Sequence, residues 1–339
     1  MLARVANNLF WMGRYIERAE HIARYLNVNY FSSLDAPNEK SQSRDHVLHS
    51  LLFMANGPVD DDYELTEKNV FFDIGLNSEK QFSILNSIKY ARENANGARD
   101  LISTELYESI NKFYHFVLNY DKDFFITKGL FDFTTQVAES TSIIRGKIRG
   151  TLLHDEVYAI IMLGVNIERA TQVVRIIQAK YYDALNAQGG YDKKFSKSYE
   201  WTTLLKCIEA YDMMRRHYKK TPTSLSTLEF LILNPECPRS VMNSLVQVNN
   251  HISVLNEDKF PGKDTAAFLI GKTHAEYRFK TVDTIEGNVE DFSDWALNFH
   301  ESSENADFLP DWELLPVQFD LLPTAVENDS WGHIKASFK

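Results

Sequence analysis

Apolar residues recur at the spacing of an α-helix along almost the whole chain. The first apolar stripe consists of Leu2, Val5, Leu9, Met12, Ile16, Ala19, Ala23 and Leu26. Because residues at this spacing share one helix face, the pattern predicts an amphipathic helix with one side against a core. The same spacing predicts further helices over 79–118 (one long or broken helix), 123–149, 155–187, 198–219, 224–232 and 238–256.

Elements other than helices have little support in the pattern. Prolines interrupt the helical spacing in KKTPTS (219–224) and PECPRS (235–240), which predicts turns there. No segment alternates apolar and polar residues for long enough to predict a sheet, although FFDIG (71–75) is compatible with a short extended piece. We therefore predict an all-α fold.

The character of the sequence changes late in the chain. After residue 305, prolines, acids and large apolar side chains mix without a helical period. We predict a helical domain over 1–258, a further helical segment of the same domain over 259–305, and an irregular, extended tail over 306–339. The large apolar side chains of the tail favour packing across the bundle over docking on a partner.

Composition and charge exclude several classes of protein. The chain of 339 residues carries a formal net charge of −11, which disfavours a broad nucleic-acid surface. The chain has only 14 glycines and 9 prolines, and these low numbers favour long helices over a glycine-rich nucleotide-binding loop. Charged residues interrupt the apolar N-terminus, so neither a signal peptide nor a membrane span is predicted. We expect a cytoplasmic protein that contacts neither nucleic acid nor membrane.

The two cysteines and the histidines give little support for a metal site. The two cysteines, Cys207 and Cys237, could form one disulfide, but they are too few for a cysteine zinc site. A di-iron bundle needs Glu-x-x-His on two helices, whereas the chain offers Glu17 with His21 at i+4 and no Glu-x-x-His. The Gly-x-Ser-x-Gly signature of a hydrolase is also absent. We predict no metal site.

Two segments about 150 residues apart repeat the same pattern. They are WMGRYIERAEHIARYL (11–26) and IMLGVNIERATQVVRII (161–177). At a constant offset the alignment pairs Gly13 with Gly164, Ile16 with Ile167, Glu17 with Glu168, Arg18 with Arg169, Ala19 with Ala170, and Arg24 with Arg175. The repeat predicts a helical bundle with two similar halves.

Charged residues of the repeat lie beside the apolar stripe. Glu17 and Arg24 share nearly one azimuth, but two turns separate them by roughly 10 Å, too far for a direct bond. If the repeated helices pack with approximate twofold symmetry, Glu17 meets Arg175 and Glu168 meets Arg24, and the paired glycines let the backbones approach. Glu20 lies inside the stripe, where an unpaired carboxylate would be costly.

These charges have two interpretations, and the first is favoured. Buried Glu and Arg pairs can fix the register between helices, or several arginines can converge on a pocket for a carboxylate or phosphate. ARENANGARDLIS (91–103) and SIIRGKIRG (142–150) add similar polar residues. The candidate polar network or pocket comprises Arg14, Glu17, Arg18, Glu20, Arg24, Arg92, Glu93, Asn94, Arg99, Arg145, Arg149, Glu168, Arg169, Arg175 and Arg239.

Several blocks in order resemble one known family. MLARVANNLFWMGRYIERAEHIARYL resembles the opening of the bacterial alpha-E domain family, a helical family named for its Glu-Arg motif. NSIKYARENANGARDLISTELYESIN, LGVNIERATQVVR, WTTLLKCIEAYDMMRR and EFLILNPECPRSV are similar to its later blocks, so the resemblance covers approximately residues 1 to 255. Carried over, the motif residues are Glu17, Arg18, Glu168 and Arg169, with Arg92, Glu93 and Asn94 in the ARENA block and Pro238, Arg239 and Ser240 in the PRS block.

The resemblance implies a function beside a ligase. Family members are typically encoded beside, or fused to, a circularly permuted ATP-grasp protein, often near a transglutaminase-like protease. This implies a role in ATP-dependent amide or peptide-bond formation, with ATP and Mg²⁺ bound by the partner and no cofactor bound directly by this chain. The favoured hypothesis is a non-catalytic partner that grips an acidic peptide or acyl phosphate through its arginines.

Two other hypotheses stay open at this point. In one, the protein is a catalytic subunit in which Glu17 or Glu168 is the general base. In the other, it is a purely structural helical scaffold. A closed Glu–Arg network favours the scaffold, and an open arginine-lined pocket favours binding or catalysis.

Overall fold

Every regular element that the structure describes is a helix. The computed structural model describes residues 2–34, 44–57, 63–186, 193–255, 262, 265–283 and 285. Within these ranges there is no strand, which confirms the all-α fold. The tail predicted over 306–339 lies outside the described residues.

The helices follow one another with short connections. They are α1 (Ala3–Leu34), α2 (Arg44–Ala55), α3 (Glu67–Gly75), α4 (Ile84–Gly97), α5 (Thr104–Leu118), α6 (Lys122–Phe124), α7 (Leu130–Thr151), α8 (Glu156–Asn186), α9 (Lys193–Cys207), α10 (Tyr211–Tyr218), α11 (Ser224–Leu228), α12 (Val241–Leu255) and α13 (Ala266–Arg278). Phe125–Gly129 and Glu229–Leu233 are π-helical segments that continue α6 and α11.

Two local predictions need correction. The segment 71–75 is not extended, because it lies in α3, where Thr66 caps the helix by accepting a hydrogen bond from the backbone N–H of Asn69. The helix predicted over 198–219 is two helices, α9 and α10, because the chain turns at Glu209 with a φ of 61°.

The long helices α1 and α8 form the centre of the fold. α1 packs against α8, α4 and α7, and α8 packs against α1, α12 and α9. Gly13 lies against Ile161 and Val165, and further along α1 Glu17 contacts Arg169. Because the contact points advance in the same direction on both helices, α1 and α8 run parallel.

The repeated glycines mark the closest approach of these two helices. A Cβ added at Gly13 would lie 2.5 Å from the carbonyl oxygen of Ile161, and one added at Gly164 would collide with the carbonyl oxygen of Phe10. Phe10 and Ile161 are themselves equivalent in the repeat. The contact is therefore reciprocal, and the predicted role of the glycines is confirmed.

A second repeat extends the symmetry beyond α1 and α8. NSEKQFSILNSI (77–88) matches NPECPRSVMNSL (234–245). The Asn77 side chain accepts from the N–H of Glu79 at 2.9 Å, and Asn234 accepts from the N–H of Glu236 at 2.8 Å. At the start of the following helices, Ser83 accepts from the N–H of Asn86, and Ser240 does so from Asn243. The matched hydrogen bonds confirm two similar halves.

Among the described residues, one apolar helical segment meets the length and hydropathy of a membrane span. It is Glu156–Lys180, with a mean hydropathy of 1.2, and no such segment was predicted from the sequence. In the structure, 89% of its most apolar stretch is buried inside the protein. This is the burial expected for the central helix of a bundle.

Candidate functional site

The Glu-Arg pairs of the two repeats bind each other across the α1–α8 interface. Arg169 donates from Nε to Oε1 of Glu17 at 2.6 Å. Reciprocally, Arg18 donates from Nε and Nη2 to the two oxygens of Glu168, at 2.6 and 3.0 Å. Each glutamate is therefore held by the arginine of the other motif, whereas the predicted pairs Glu17–Arg175 and Glu168–Arg24 are wrong.

The arginines that complete this crossing differ from the predicted ones. Arg18 and Arg169 take the places predicted for Arg24 and Arg175, because the parallel helices cross in register and the arginine next to each glutamate is within reach. Arg24 instead donates to Glu20, one turn before it on α1. Arg175 is half-buried on α8, two turns beyond the crossing.

The Glu168 side of the crossing is closed. Besides Arg18, the carboxylate accepts from Nε of Arg14 and from Nε2 of Gln172, each at 2.7 Å. Burial alone would raise the pKa of Glu168, but the charges of Arg18 and Arg14 outweigh it and lower the pKa far below its usual range. The guanidinium of Arg14 also lies 4.8 Å from the ring centre of Trp11. This network has the form of a structural clamp.

The Glu17 side has the same Glu-Arg pair across the two helices, but a histidine replaces the glutamine beside it. His21, equivalent to Gln172, lies with Nε2 3.3 Å from Oε1 of Glu17. Burial lowers the pKa of His21 to about 4, so the ring is neutral at pH 7. Burial would raise the pKa of Glu17, but the charge of Arg169 and the hydrogen bond from His21 hold it well below its ordinary value.

A larger group of arginines collects on this side, around Glu20. Its carboxylate is completely buried and contacts Arg24, Arg145 and Arg239. Arg239 also lies 3.7 Å from Glu17. We call Arg24, Arg145, Arg169 and Arg239, gathered around Glu17 and Glu20, the arginine cluster.

Four separate parts of the chain build the arginine cluster. α1 supplies the two glutamates and Arg24, α7 supplies Arg145, and α8 supplies Arg169. Arg239 comes from the turn before α12, which Asn234 and Ser240 hold in place. The cluster therefore depends on the tertiary fold and cannot form within one helix.

The arginine cluster has more positive than negative charge. Four arginines face the buried Glu17 and Glu20 and one further glutamate at the solvent edge, Glu209, a formal excess of one positive charge. The buried Nη1 of Arg24 forms no hydrogen bond to any described residue, whereas Nη1 of Arg145 contacts Glu20 and Nη1 of Arg239 lies 3.7 Å from Oε1 of Glu17. Burial, together with the charge of Arg239, lowers the pKa of Arg24 to about 10. Burial likewise lowers the pKa of Arg145 to about 10. Such a site favours an added anion.

Glu209 lies at the solvent edge of the cluster and was missed by the sequence analysis. Its Oε2 lies 3.1 Å from Nη2 of Arg24 and also accepts from Arg239. Its side chain is 60% exposed, whereas Glu17 and Glu20 are fully buried. No pattern in the sequence points to it, because it lies in the turn between α9 and α10.

Four predicted residues lie elsewhere, on α4 and just after it. Arg92 donates to Asn111 of α5 at 2.7 Å, and Asn94 donates to the carbonyl of Tyr90. Arg99 stacks on Tyr107, and Glu93 is exposed. The contacts of Arg92 and Arg99 connect α4 and the turn after it to α5, and all four residues lie outside the arginine cluster.

Arg149 is also outside the cluster. It is exposed on α7, one turn beyond Arg145, and its carbonyl oxygen lies 3.1 Å from Nε2 of His154. Of the predicted network, the structure thus brings together Glu17, Glu20, Arg24, Arg145, Arg169 and Arg239 on one side and Arg14, Arg18 and Glu168 on the other.

The remaining chemistry of the described residues is sparse. Within the described ranges, no group of three or more His, Cys, Asp or Glu side chains is arranged to hold a metal ion. Cys207 and Cys237 are buried thiols and are not joined in a disulfide. The arrangement therefore suits an anion and offers no cation site within those ranges.

Comparison with known proteins gives the family. No curated protein and no solved structure matches the chain. One family model matches residues 1–306, and its family is described as a predicted alpha-helical domain with a conserved ER motif. The match spans most of the chain and includes both crossed Glu-Arg pairs. The chain therefore belongs to the Alpha-E family.

Proposed function

We propose that the arginine cluster binds an anionic group, the carboxylate of an acidic peptide or an acyl phosphate, for an ATP-grasp type amide ligase. The observation that carries the proposal is the gathering of four arginines around three glutamates, with the buried Nη1 of Arg24 forming no hydrogen bond to any described residue. An oxyanion is the group that satisfies such donors and offsets the excess positive charge.

The two sides of the α1–α8 crossing have different roles in this proposal: the Glu168 side is structural, and the Glu17 side binds the anion. On the closed side, Glu168 accepts hydrogen bonds from two arginines and a glutamine. This side performs the scaffold role and needs no ligand. On the open side, four arginines gather around the buried Glu17 and Glu20, and the exposed Glu209 lies at their edge. The arginine cluster has more charged residues than the crossed Glu-Arg pair needs for packing, and binding of an anion requires such additional charges.

General-base catalysis is the less favoured function. A general base works best when its pKa lies near the working pH. Burial raises the pKa of Glu17, but Arg169 and His21 outweigh it and hold the pKa well below the ordinary value. The pKa of Glu168 is lowered by Arg18 and Arg14 in the same way. Both carboxylates are therefore weak bases that orient arginines, and the protein acts as a non-catalytic partner.

Anion binding is tested with glutarate and acetyl phosphate by isothermal titration calorimetry. Arg145→Gln and Arg239→Gln each remove one charge-assisted donor, so we expect about tenfold to hundredfold weaker binding. Arg216→Gln, an exposed arginine of α10, is the matched control and should bind as the wild type does. The proposal fails if the wild type binds neither probe or if Arg216→Gln loses as much affinity.

The ligase partnership needs a separate experiment. The chain is co-expressed with the ATP-grasp protein encoded nearest to it, and ATP turnover is measured with and without the chain. We expect a stable complex and stimulated turnover, with Arg145→Gln retaining the complex and losing the stimulation. Absence of both complex and stimulation would contradict the partnership and leave the anion site to be judged by calorimetry.

A further inference from the structure

The turn that carries Glu209 has a geometry in which glutamate is unusual. The N–H of Glu209 donates to the carbonyl of Lys206 at 3.0 Å, and the N–H of Ala210 donates to that of Leu205 at 2.8 Å. These two bonds form a Schellman motif, and Glu209 is at its left-handed position with a φ of 61°. Glycine or asparagine is the usual residue there, since other side chains are disfavoured in this conformation.

The other half of the protein has the same turn with the usual residue. At the end of α2, the N–H of Asn56 donates to Phe53 and that of Gly57 donates to Leu52, at 3.0 and 2.8 Å. Asn56 has a φ of 62°. The backbone therefore needs only an asparagine at this position, and the glutamate of the second half has a reason outside the turn.

The side chain of Glu209 supplies that reason. Its Oε2 contacts Nη2 of both Arg24 and Arg239, and the same two nitrogens contact Oε1 of Glu20 on the inner side. The two guanidiniums thus lie between a buried carboxylate and an exposed one. Nη1 of Arg24 forms no hydrogen bond to any described residue, and Nη1 of Arg239 lies 3.7 Å from Oε1 of Glu17 on the inner side. Glu209 therefore occupies an outer anion position between the two guanidiniums.

We propose that Glu209 is an internal carboxylate occupying the position that a carboxylate of the ligand takes when it binds. The inference rests on the proposed function and adds the ligand class, a carboxylate such as an acidic side chain or a chain terminus. The position is filled by a carboxylate, it faces solvent, and the carboxylate is attached to a turn that holds it there at a conformational cost. Binding then requires Glu209 to leave Arg24 and Arg239, which weakens the apparent affinity.

Removal of the internal carboxylate should therefore strengthen binding. In Glu209→Asn the turn acquires the residue of the equivalent turn, and in Glu209→Gln the side chain keeps its length without the charge. Since a partly exposed ion pair contributes up to about 1 kcal/mol, we expect glutarate to bind about fivefold more tightly to both variants. Calorimetry with glutarate measures this, with inorganic phosphate as the second probe.

A matched control separates displacement from a general change of charge. Asp212→Asn removes an exposed carboxylate of α10 that pairs with Arg215, and its affinity for glutarate should stay at the wild-type value. Equal gains in Asp212→Asn and Glu209→Asn would overturn the inference, as would unchanged or weaker glutarate binding in both Glu209 variants. A gain for inorganic phosphate without one for glutarate would overturn the ligand class.

The two proposals fail in different ways. If neither the wild type nor the Glu209 variants bind glutarate or phosphate, the arginine cluster is not an anion site and the proposed function falls. If the wild type binds glutarate and the Glu209 variants bind it no more tightly, the proposed function stands and the role of Glu209 is refuted. Far-UV circular dichroism and a thermal melt of each variant confirm that the comparison is made between folded proteins.

Discussion

Replacing Gly164 with alanine tests the crossing that positions the Glu-Arg pairs. The added Cβ would collide with the carbonyl oxygen of Phe10 and lie 3.3 Å from the backbone nitrogen of Arg14. Both atoms belong to the backbone of α1, so no side-chain rotation relieves the contact. Overpacking typically costs about 1–3 kcal/mol, and the better helix propensity of alanine returns at most about 1 kcal/mol. With a backbone atom in the way, we expect a net loss of about 2 kcal/mol.

Another glycine of the bundle provides the control for helix propensity. A Cβ added at Gly146, on α7, meets no heavy atom within 4 Å. Gly146→Ala should therefore stabilise the protein by up to about 1 kcal/mol, because only the propensity term remains. Gly13→Ala should behave like Gly164→Ala, since its Cβ would lie 2.5 Å from the carbonyl oxygen of Ile161.

Urea denaturation followed by circular dichroism measures these differences. The free energy of unfolding is obtained by linear extrapolation, with the slope compared between variants to check that one transition is being observed. We expect the free energy of unfolding to be highest for Gly146→Ala, lower for the wild type, and lowest for Gly13→Ala and Gly164→Ala. If Gly164→Ala is as stable as Gly146→Ala, α1 and α8 do not approach at this point and the crossed pairing loses its geometric basis.

Two further predictions concern the charged groups at the crossing. Glu168→Gln leaves Arg14 buried without its carboxylate and should lower the free energy of unfolding by about 3 kcal/mol. Glu93→Gln alters an exposed residue and should change the free energy of unfolding by less than about 0.5 kcal/mol. Equal melting temperatures of the two variants would contradict the structural clamp around Glu168. Burial lowers the pKa of His21 from 6.5 to about 4, so the unfolded chain binds a proton in this window that the folded protein does not. The free energy of unfolding should therefore fall by about 2 kcal/mol between pH 7 and pH 5. His21→Gln, which introduces the residue found at the equivalent Gln172, should remove this part of the loss. If the melting temperature of His21→Gln depends on pH as that of the wild type does, the prediction is refuted.

The repeated motif was sufficient to predict the central interface, but it did not identify the paired side chains. A helical wheel gives the azimuth of Glu17 and leaves the axial shift between two helices undetermined. The parallel, in-register crossing of α1 and α8 brings Arg169 to Glu17, whereas the wheel favoured Arg175. The close approach at Gly13 and Gly164 was predictable because small residues at equivalent positions indicate a backbone contact.

Other features required the tertiary structure. Arg92 and Arg99 have a sequence context similar to that of the motif arginines, but α4 directs them toward Asn111 and Tyr107. Glu209 gave no signal, because a charged residue in a left-handed turn has no periodic pattern. The second repeat was predictable from the sequence, because asparagines and serines occupy matching positions in 77–88 and 234–245.

The differences between the two halves indicate which side carries the function. Two crossed Glu-Arg pairs suffice to join α1 to α8, and an approximate twofold axis would allow both sides to be closed in the same way. Instead, four pairs of equivalent positions have an ionisable residue at the arginine cluster and a neutral or apolar one in the other half: His21 and Gln172, Glu20 and Thr171, Glu209 and Asn56, Arg239 and Phe82. One pair, Arg14 and Val165, does the reverse, since Arg14 lies on Glu168. Because burying charge costs free energy that an apolar or neutral residue avoids, this unequal accumulation is not explained by packing. The proposed anionic ligand would explain it, because it offsets the positive charge that the four arginines keep beside Glu17, Glu20 and Glu209.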